Sequence, residues 1–291
     1  MVRPQKETDD TMEAVKLDHL SFSQWKAWTS CPAAAHAQYV RREYRPGTTE
    51  AMALGALTEL AMTVPGTPEA LIAQLEPAHA ACLRTLKGVP TKDAARAVEW
   101  GRQAAELPDV RAAMDGARLQ AALTCSLGGV PWHCRLDVWD TDCGLVWDIK
   151  TCASPLAEEY VSRLSCRGNF IAANRYGYQL ALYAEAVRQE MDTMPGVGII
   201  AIGKHKTRSG QALPDVWLFE WTDAMQLTSY RDALAASCLY PWTCDLGECI
   251  APIPELYELD GEGLPRCETC DWCITSRANR VRSYADPIKG R

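Results

Sequence analysis

The chain has 291 residues, 47% apolar, 23% charged and 8% aromatic, a balance that excludes disordered and fibrous classes and leaves a folded globular protein. Thirteen cysteines are too few for a disulfide scaffold, and the number is odd, so free thiols or metal ligands are expected. The net charge of −7 argues at first against a nucleic-acid partner, because phosphate binding needs positive surface. Most of that excess, however, sits between Asp245 and Glu262, a stretch with six acids and neither Lys nor Arg. Basic clusters lie elsewhere, at Arg41, Arg42 and Arg45, at Lys204, Lys206 and Arg208, and from Arg277 to Arg291. Each of them also reads as a solvated face.

Met1 to Asp10 mixes both charges and lacks the apolar core of a secretory leader. The best apolar run, Val197 to Gly203, has the length of a strand and not of a membrane span. A cytoplasmic protein without a membrane partner is the expectation. Residues 1–17 read as a flexible tail, and 18–291 as a single domain in which 238–291 forms a Cys-containing segment closing back on the N-terminal helix.

In chain order, Ser21 or Ser23 can cap a helix that runs to Tyr39 with a break at Cys31-Pro32. Helices follow at Thr49–Thr63, around 68–80 and around 91–107. After Gly116 the runs Leu119–Leu127, Val130–Trp139 and Leu145–Thr151 are β-prone and read as a meander. Helical spacing returns at Pro155–Arg167 and Asn169–Glu190. Val197–Lys204 and Val216–Trp221 are strand-like, and Thr222 can cap a last helix to Leu239. This order predicts an α/β fold, a mixed central sheet flanked by helices.

The strand period of two puts Val146, Asp148 and Lys150 on one face of Leu145–Thr151, and Trp147 and Ile149 on the other. A turn at Asp140 to Gly144 would bring Asp137, eleven residues upstream of Asp148, alongside. Two convergent carboxylates suit a hard divalent cation such as Mg²⁺ or Mn²⁺, and a neighbouring ammonium can orient water or stabilise charge on a phosphate. An Asp–Lys pair on an exposed strand face has the same local sequence. Glu59 follows Gly55 by four residues on a predicted helix, where the small Gly permits close approach to the sheet. Tyr176, Gln179 and Tyr183 share a helical stripe that also reads as an ordinary core seam.

The order Gly-x-x-x-Glu, Asp, Asp-Ile-Lys, Gln-x-x-x-Tyr resembles the PD-(D/E)XK nuclease superfamily, and in particular its RecB-like and RecE-type phage recombination exonuclease branch, from about Leu20 to Cys273. Many RecB-like members carry His where Glu59 stands, whereas the lambda-exonuclease-like branch carries Glu. The resemblance implies a restriction-endonuclease-like fold in which Asp137, Asp148, the Ile149 carbonyl and Glu59 hold Mg²⁺ or Mn²⁺. It makes Lys150 the residue that works on water, Gln179 the one that positions substrate or lysine, and Tyr176 and Tyr183 supports of the helix. The implied activity is hydrolysis of linear double-stranded DNA from an end, 5′ to 3′, for recombination or DNA processing, by a protein that partners a single-strand annealing or other recombination protein and forms a homo-oligomer. The alternatives are a structure-specific or nicking endonuclease, and a non-enzymatic DNA- or protein-binding module with a nuclease-like fold.

Cys267-x-x-Cys270-x-x-Cys273 gathers three thiols within seven residues, a spacing that suits tetrahedral thiolate ligation of zinc or of one iron–sulfur cluster. A fourth ligand is needed. The same branch includes members that join a Cys of an opening Cys-Pro helix to three near the C-terminus, which implies Cys31 and a 4Fe–4S cluster, with structural Zn²⁺ as the alternative. Cys244 and Cys249 are nearer in sequence and could also serve. The five histidines show no metal-like pairing, and Trp25 or Trp242 could stack on an exposed base.

Overall fold

The computed structural model describes residues 17–161, 165–239, 252–259, 261, 264–267 and 269–277. The expected tail up to residue 16, Trp242, Cys244, Cys249, half of the acidic stretch and the basic residues beyond Arg277 lie outside them. In chain order the elements are α1 (Phe22–Trp28), α2 (Pro32–Tyr39), α3 (Glu50–Thr63), α4 (Pro68–Ile72), α5 (Pro77–Cys82), α6 (Lys92–Glu106), α7 (Pro108–Met114), β1 (Arg118–Leu127), β2 (Val130–Asp140), β3 (Leu145–Cys152), β4 (Glu159–Val161), β5 (Cys166–Gly168), α8 (Phe170–Ala173), α9 (Tyr176–Met191), β6 (Gly196–Lys206), β7 (Ala212–Glu220), α10 (Ala224–Leu239), α11 (Ile253–Leu256) and α12 (Asp271–Arg277).

The chain divides into two compact units, one of residues 1–45 with 237–291 and one of residues 46–236. The larger unit holds a sheet of order β1-β2-β3-β6-β7 among the described residues. The β3–β6 pair is parallel and the others are antiparallel. This is the mixed α/β sheet that the order of elements predicts. Trp147 and Ile149 of β3, with Val138, Ile200 and Ile202, pack into one core with α3 and α6. Those helices meet closely at Gly101, where a Cβ would stand 2.3 Å from the Thr58 carbonyl oxygen and 2.9 Å from Ala61 Cβ. Helix α9 lies against β1, β2, β3 and β6. Lys150, of opposite parity to Trp147 and Ile149, meets Tyr176 of α9.

The smaller unit is built on α1, α2, α11 and α12. Ser21 opens α1 with a capping box shared with Gln24, and Pro32 starts α2 anew after Cys31, as the Cys-Pro break predicts. Trp25 is buried, and its indole N–H donates to the Ser237 hydroxyl at 2.7 Å. This removes Trp25 from the surface rings to which a base could be added.

Four local expectations are corrected. Pro155–Arg167 is not a helix: β4 and β5 form a two-stranded hairpin, closed near Ser165, which stands at a left-handed φ of 51°. Tyr160 and Val161 favour extended backbone there, and the helical spacing was coincidental. Asn169–Glu190 is interrupted, because Arg175 also adopts a left-handed φ of 61° and separates α8 from α9. Asp223, not Thr222, caps α10, accepting the Gln226 N–H at 2.9 Å. The segment around 68–80 divides into α4 and α5, each beginning at a proline.

Candidate functional site

The site forms where β2 and β3 stop pairing. The ladder holds Val138 against Trp147. One step further, Asp137 replaces a backbone acceptor with its own side chain: Oδ2 accepts the Ile149 N–H at 2.8 Å. This bond uses one oxygen of Asp137 and ties it to the strand that carries Asp148. Asp148 is 1% exposed. Its Oδ2 lies 2.6 Å from Lys150 Nζ, off the line of a hydrogen bond, and Oδ1 has no hydrogen-bond partner among the described residues. Lys150 Nζ is also 4.0 Å from Asp137 Oδ2 and donates at 3.4 Å to the Ile149 carbonyl.

Glu59 arrives from α3, which lies close to β3 because Gly55 has no side chain. A Cβ there would stand 3.0 Å from Thr151 Oγ1. Glu59 is joined to Asp137 by a residue that sequence reasoning missed: the Gln120 amide donates to Glu59 Oε1 at 2.8 Å and to Asp137 Oδ1 at 3.3 Å. Gln120 sits inside β1 at a left-handed φ of 51°. A non-glycine residue in that conformation costs of order 1–3 kcal/mol and marks a place where surrounding contacts impose the geometry. The only trace in the sequence is a polar residue in a β-prone run, a signal too common to single it out.

The structure therefore brings Glu59, Asp137, Asp148, Lys150 and the Ile149 backbone together. Gln179 points its amide elsewhere, donating to Tyr183 Oη at 2.6 Å. The group beside the lysine is the Tyr176 ring, with Nζ 5.2 Å from its centroid. Its partner Tyr183 is buried and feels the charges of both aspartates.

Three carboxylates surround one ammonium, and the electrostatics follow. Burial, offset in part by Lys150 and reinforced by Asp137, lifts the Asp148 carboxyl to about 7. Burial and the Asp137 charge lift Glu59 to about 7 as well, against the pull of Lys150, Arg135 and the Gln120 amide. For Lys150, burial works downward but is outweighed by Asp148 and Asp137, so the ammonium is held above its ordinary value. The cluster carries surplus negative charge in a buried place, and an orphaned Asp148 oxygen faces no donor. The chemistry of this donor set suits a hard divalent cation, although the oxygens of Glu59, Asp137 and Asp148 are not all gathered within 4.8 Å of one another as the four thiols described below are.

The second cluster belongs to the smaller unit. Cys31, at the N-cap of α2, and Cys267, Cys270 and Cys273, before and within α12, place their sulfur atoms within 4.8 Å of one another. Cys31 Sγ lies 3.5 Å from Cys273 Sγ and 3.9 Å from Cys270 Sγ. Backbone N–H groups of Cys267, Cys270 and Cys273 point at sulfur atoms of Cys31, Cys267 and Cys270, at 3.5, 3.3 and 3.5 Å. Despite its burial, these contacts and the Thr269 groups lower the Cys267 thiol to about 6, while burial pushes Cys31 up to about 12. Cys31 joins the three C-terminal thiols across more than 230 residues, the arrangement that the resemblance implies. Four thiols gathered this closely can ligate one zinc ion or one iron–sulfur cluster. The described cysteines are free thiols.

Among the described residues no helix is long and apolar enough to cross a membrane. Residues 21–226 match the family described as a PDDEXK-like domain of unknown function (DUF3799). The crystal structure of a protein described as "Putative exonuclease", from Eubacterium rectale, superposes with a TM-score of 0.70 at 20% identity, covering 97% of this chain and 96% of that one. At that identity the likeness shows the fold. No curated protein matches the sequence significantly.

Proposed function

We propose, from the premise that this chain belongs to the PDDEXK-like family matched over residues 21–226, that it is a divalent-metal-dependent nuclease acting on DNA at Glu59, Asp137, Asp148 and Lys150. The observation that carries this reading is the charge excess: buried Asp137 and Asp148 and half-buried Glu59 accompany one lysine, and an Asp148 oxygen has no hydrogen-bond partner among the described residues. Structural carboxylates are normally neutralised or hydrogen-bonded when buried, so such a set is a poor structural device and a good cation site.

Bound Mg²⁺ or Mn²⁺ supplies Lewis acidity toward the phosphodiester and lowers the pKa of water. The chain's residues do the rest. Gln120 and the Ile149 N–H hold Asp137 and Glu59 in position before substrate arrives. Lys150, kept protonated by its aspartates, is placed to hydrogen-bond the attacking water or a phosphate oxygen and to stabilise the charge that develops there. Tyr176 limits where the ammonium can go.

The finer reading is an exonuclease on linear double-stranded DNA, running 5′ to 3′ and feeding a recombination protein. Its support is the likeness to RecE-type enzymes around Tyr176 to Tyr183, together with the exonuclease description of the Eubacterium rectale protein that shares the fold. Duplexes labelled at the 5′ or 3′ end and a covalently closed circle, each with and without Mg²⁺, test it. Metal-dependent release of the 5′ label and a spared circle are expected. Rapid cutting of the circle would make the enzyme an endonuclease, and no cleavage of any DNA would remove the activity.

The four thiols are proposed to hold a structural metal that ties α2 to α12. The reading kept is a 4Fe–4S cluster, with structural Zn²⁺ as the alternative that the same four thiols could hold. Elemental and acid-labile sulfide analysis of anaerobically purified protein decides between them: iron with sulfide is expected, zinc without iron would reverse the choice, and neither metal would remove the centre.

A further inference from the structure

The first turn of α9 faces two ways. Tyr176 lies beside Lys150. The next residues, Gly177 and Tyr178, are rotated by about 100° and 200° around the helix axis and turn to another place. There a cavity of about 310 Å³ is walled by Asn169, Arg175, Tyr178, Trp221, Gln226 and Tyr230. All of these belong to the larger unit.

We propose that this cavity is a subsite for one unstacked nucleobase of the DNA strand being cut. The inference rests on the nuclease reading above. Its walls have the chemistry a base needs. Tyr230 stands between two other rings, 4.7 Å from Tyr178 and 5.7 Å from Trp221, so aromatic surface surrounds the opening. Aromatic rings stack on any base, so such a wall tolerates any sequence. Asn169 and Gln226 on the wall carry amides, which match the donors and acceptors of a base edge. Among the described residues no carboxylate lines the cavity to repel a strand of phosphates. The Asn169 oxygen already accepts the Ala172 N–H at 3.2 Å, which turns its NH₂ into the group for a ligand acceptor.

The backbone is shaped for this opening. Gly177 is required because a Cβ there would stand 2.6 Å from the Tyr230 ring, so only glycine lets that ring lie across the helix. Arg175 holds a left-handed φ of 61° immediately before α9. The volume is at the small end of ligand pockets, ~300–1,000 Å³, and takes a single planar base but not a base pair.

The test uses the full chain with oligonucleotides that carry 2-aminopurine at successive positions from the end, bound in Ca²⁺ so that quenching reports stacking without cleavage. Quenching at one position is expected. Tyr178→Ala removes a stacking ring, and Gln226→Trp fills the cavity from an exposed position without touching the core. Each should abolish that quenching and weaken binding about 5- to 100-fold. An abasic site at the same position should weaken wild-type binding equally, and add nothing in either variant. Absence of a position-specific signal, or its survival in both variants, overturns the subsite. Cleavage by the same wild-type preparation in Mg²⁺ separates the two readings: cleavage without quenching sinks the subsite alone, whereas absence of cleavage sinks the nuclease reading and with it a subsite for a cut strand, even where quenching shows that a base is bound.

Discussion

Replacing Asp148 by asparagine should stabilise the metal-free protein while destroying its activity. Asp148 is 1% exposed and its carboxyl is lifted to about 7 by burial, with Lys150 offsetting only part and Asp137 adding to it. In the unfolded chain the same group titrates near ~3.9. An acid with a raised folded-state pKa binds its proton more tightly in the native state, so stability falls as pH climbs from about 4 to about 7, and the full penalty applies above that window. About three pH units at ~1.4 kcal/mol each give a penalty of about 4 kcal/mol at pH 8. Asparagine removes the charge but must bury an amide where Oδ1 has no partner, a cost of ~1–3 kcal/mol. The net gain is about 1–3 kcal/mol, or roughly 2–12 °C in Tm at ~2–4 °C per kcal/mol for a unit of this size. Thermal melts in EDTA at pH 4.5 and pH 8 read it directly. The variant should gain at pH 8, lose all of that gain at pH 4.5, show no added stability with Mg²⁺, and cut DNA at background level. A variant less stable than wild type at both pH values would refute the electrostatic argument, and cleavage near the wild-type rate would remove Asp148 from the site.

Lys150→Met should bind Mn²⁺ at least as tightly as wild type, because the carboxylates lose their internal cation, yet cut no DNA; titration calorimetry beside a cleavage assay shows both, and retained cleavage would dismiss the lysine. Gln120→Ala should lower Mn²⁺ affinity about 10- to 100-fold, as loss of an orienting hydrogen bond to a ligand does, by freeing Glu59 from Asp137; unchanged affinity would make Gln120 a bystander. Gly101→Ala should cost about 1–3 kcal/mol by overpacking α6 against α3 and also reduce cleavage, since the clash falls on Thr58, the neighbour of Glu59; a denaturant melt with normal stability would show that the helices can separate freely. Cys270→Ser should lose the bound metal in elemental analysis and lower Tm, because ligand binding contributes to folding free energy; full metal content would exclude it from the centre.

Much of the site follows from short-range periodicity. The strand period of two sets the parity of Asp148 and Lys150 against Trp147 and Ile149, and the short Asp140–Gly144 turn returns β3 beside Asp137. Helical offset likewise sets Gly55 and Glu59 one turn apart on α3. Proline chemistry determined the break after Cys31 in the same local way.

What only the tertiary structure decided involves partners far apart in the chain or backbone that departs from its local preference. Gln120 meets Glu59 from 61 residues away, in a left-handed conformation that no propensity favours and that only the surrounding contacts sustain. Tyr176 was legible as a helical stripe, but its place over Lys150 depends on how α9 crosses the sheet. The hairpin of β4 and β5 escaped because two three-residue strands carry too few residues to show a period. Gly177 reads as a weak helix residue until Tyr230, 53 positions later, is seen lying across it. Local steric rules act within a few residues and can be read along the chain, whereas packing joins surfaces whose match appears only once the chain has folded.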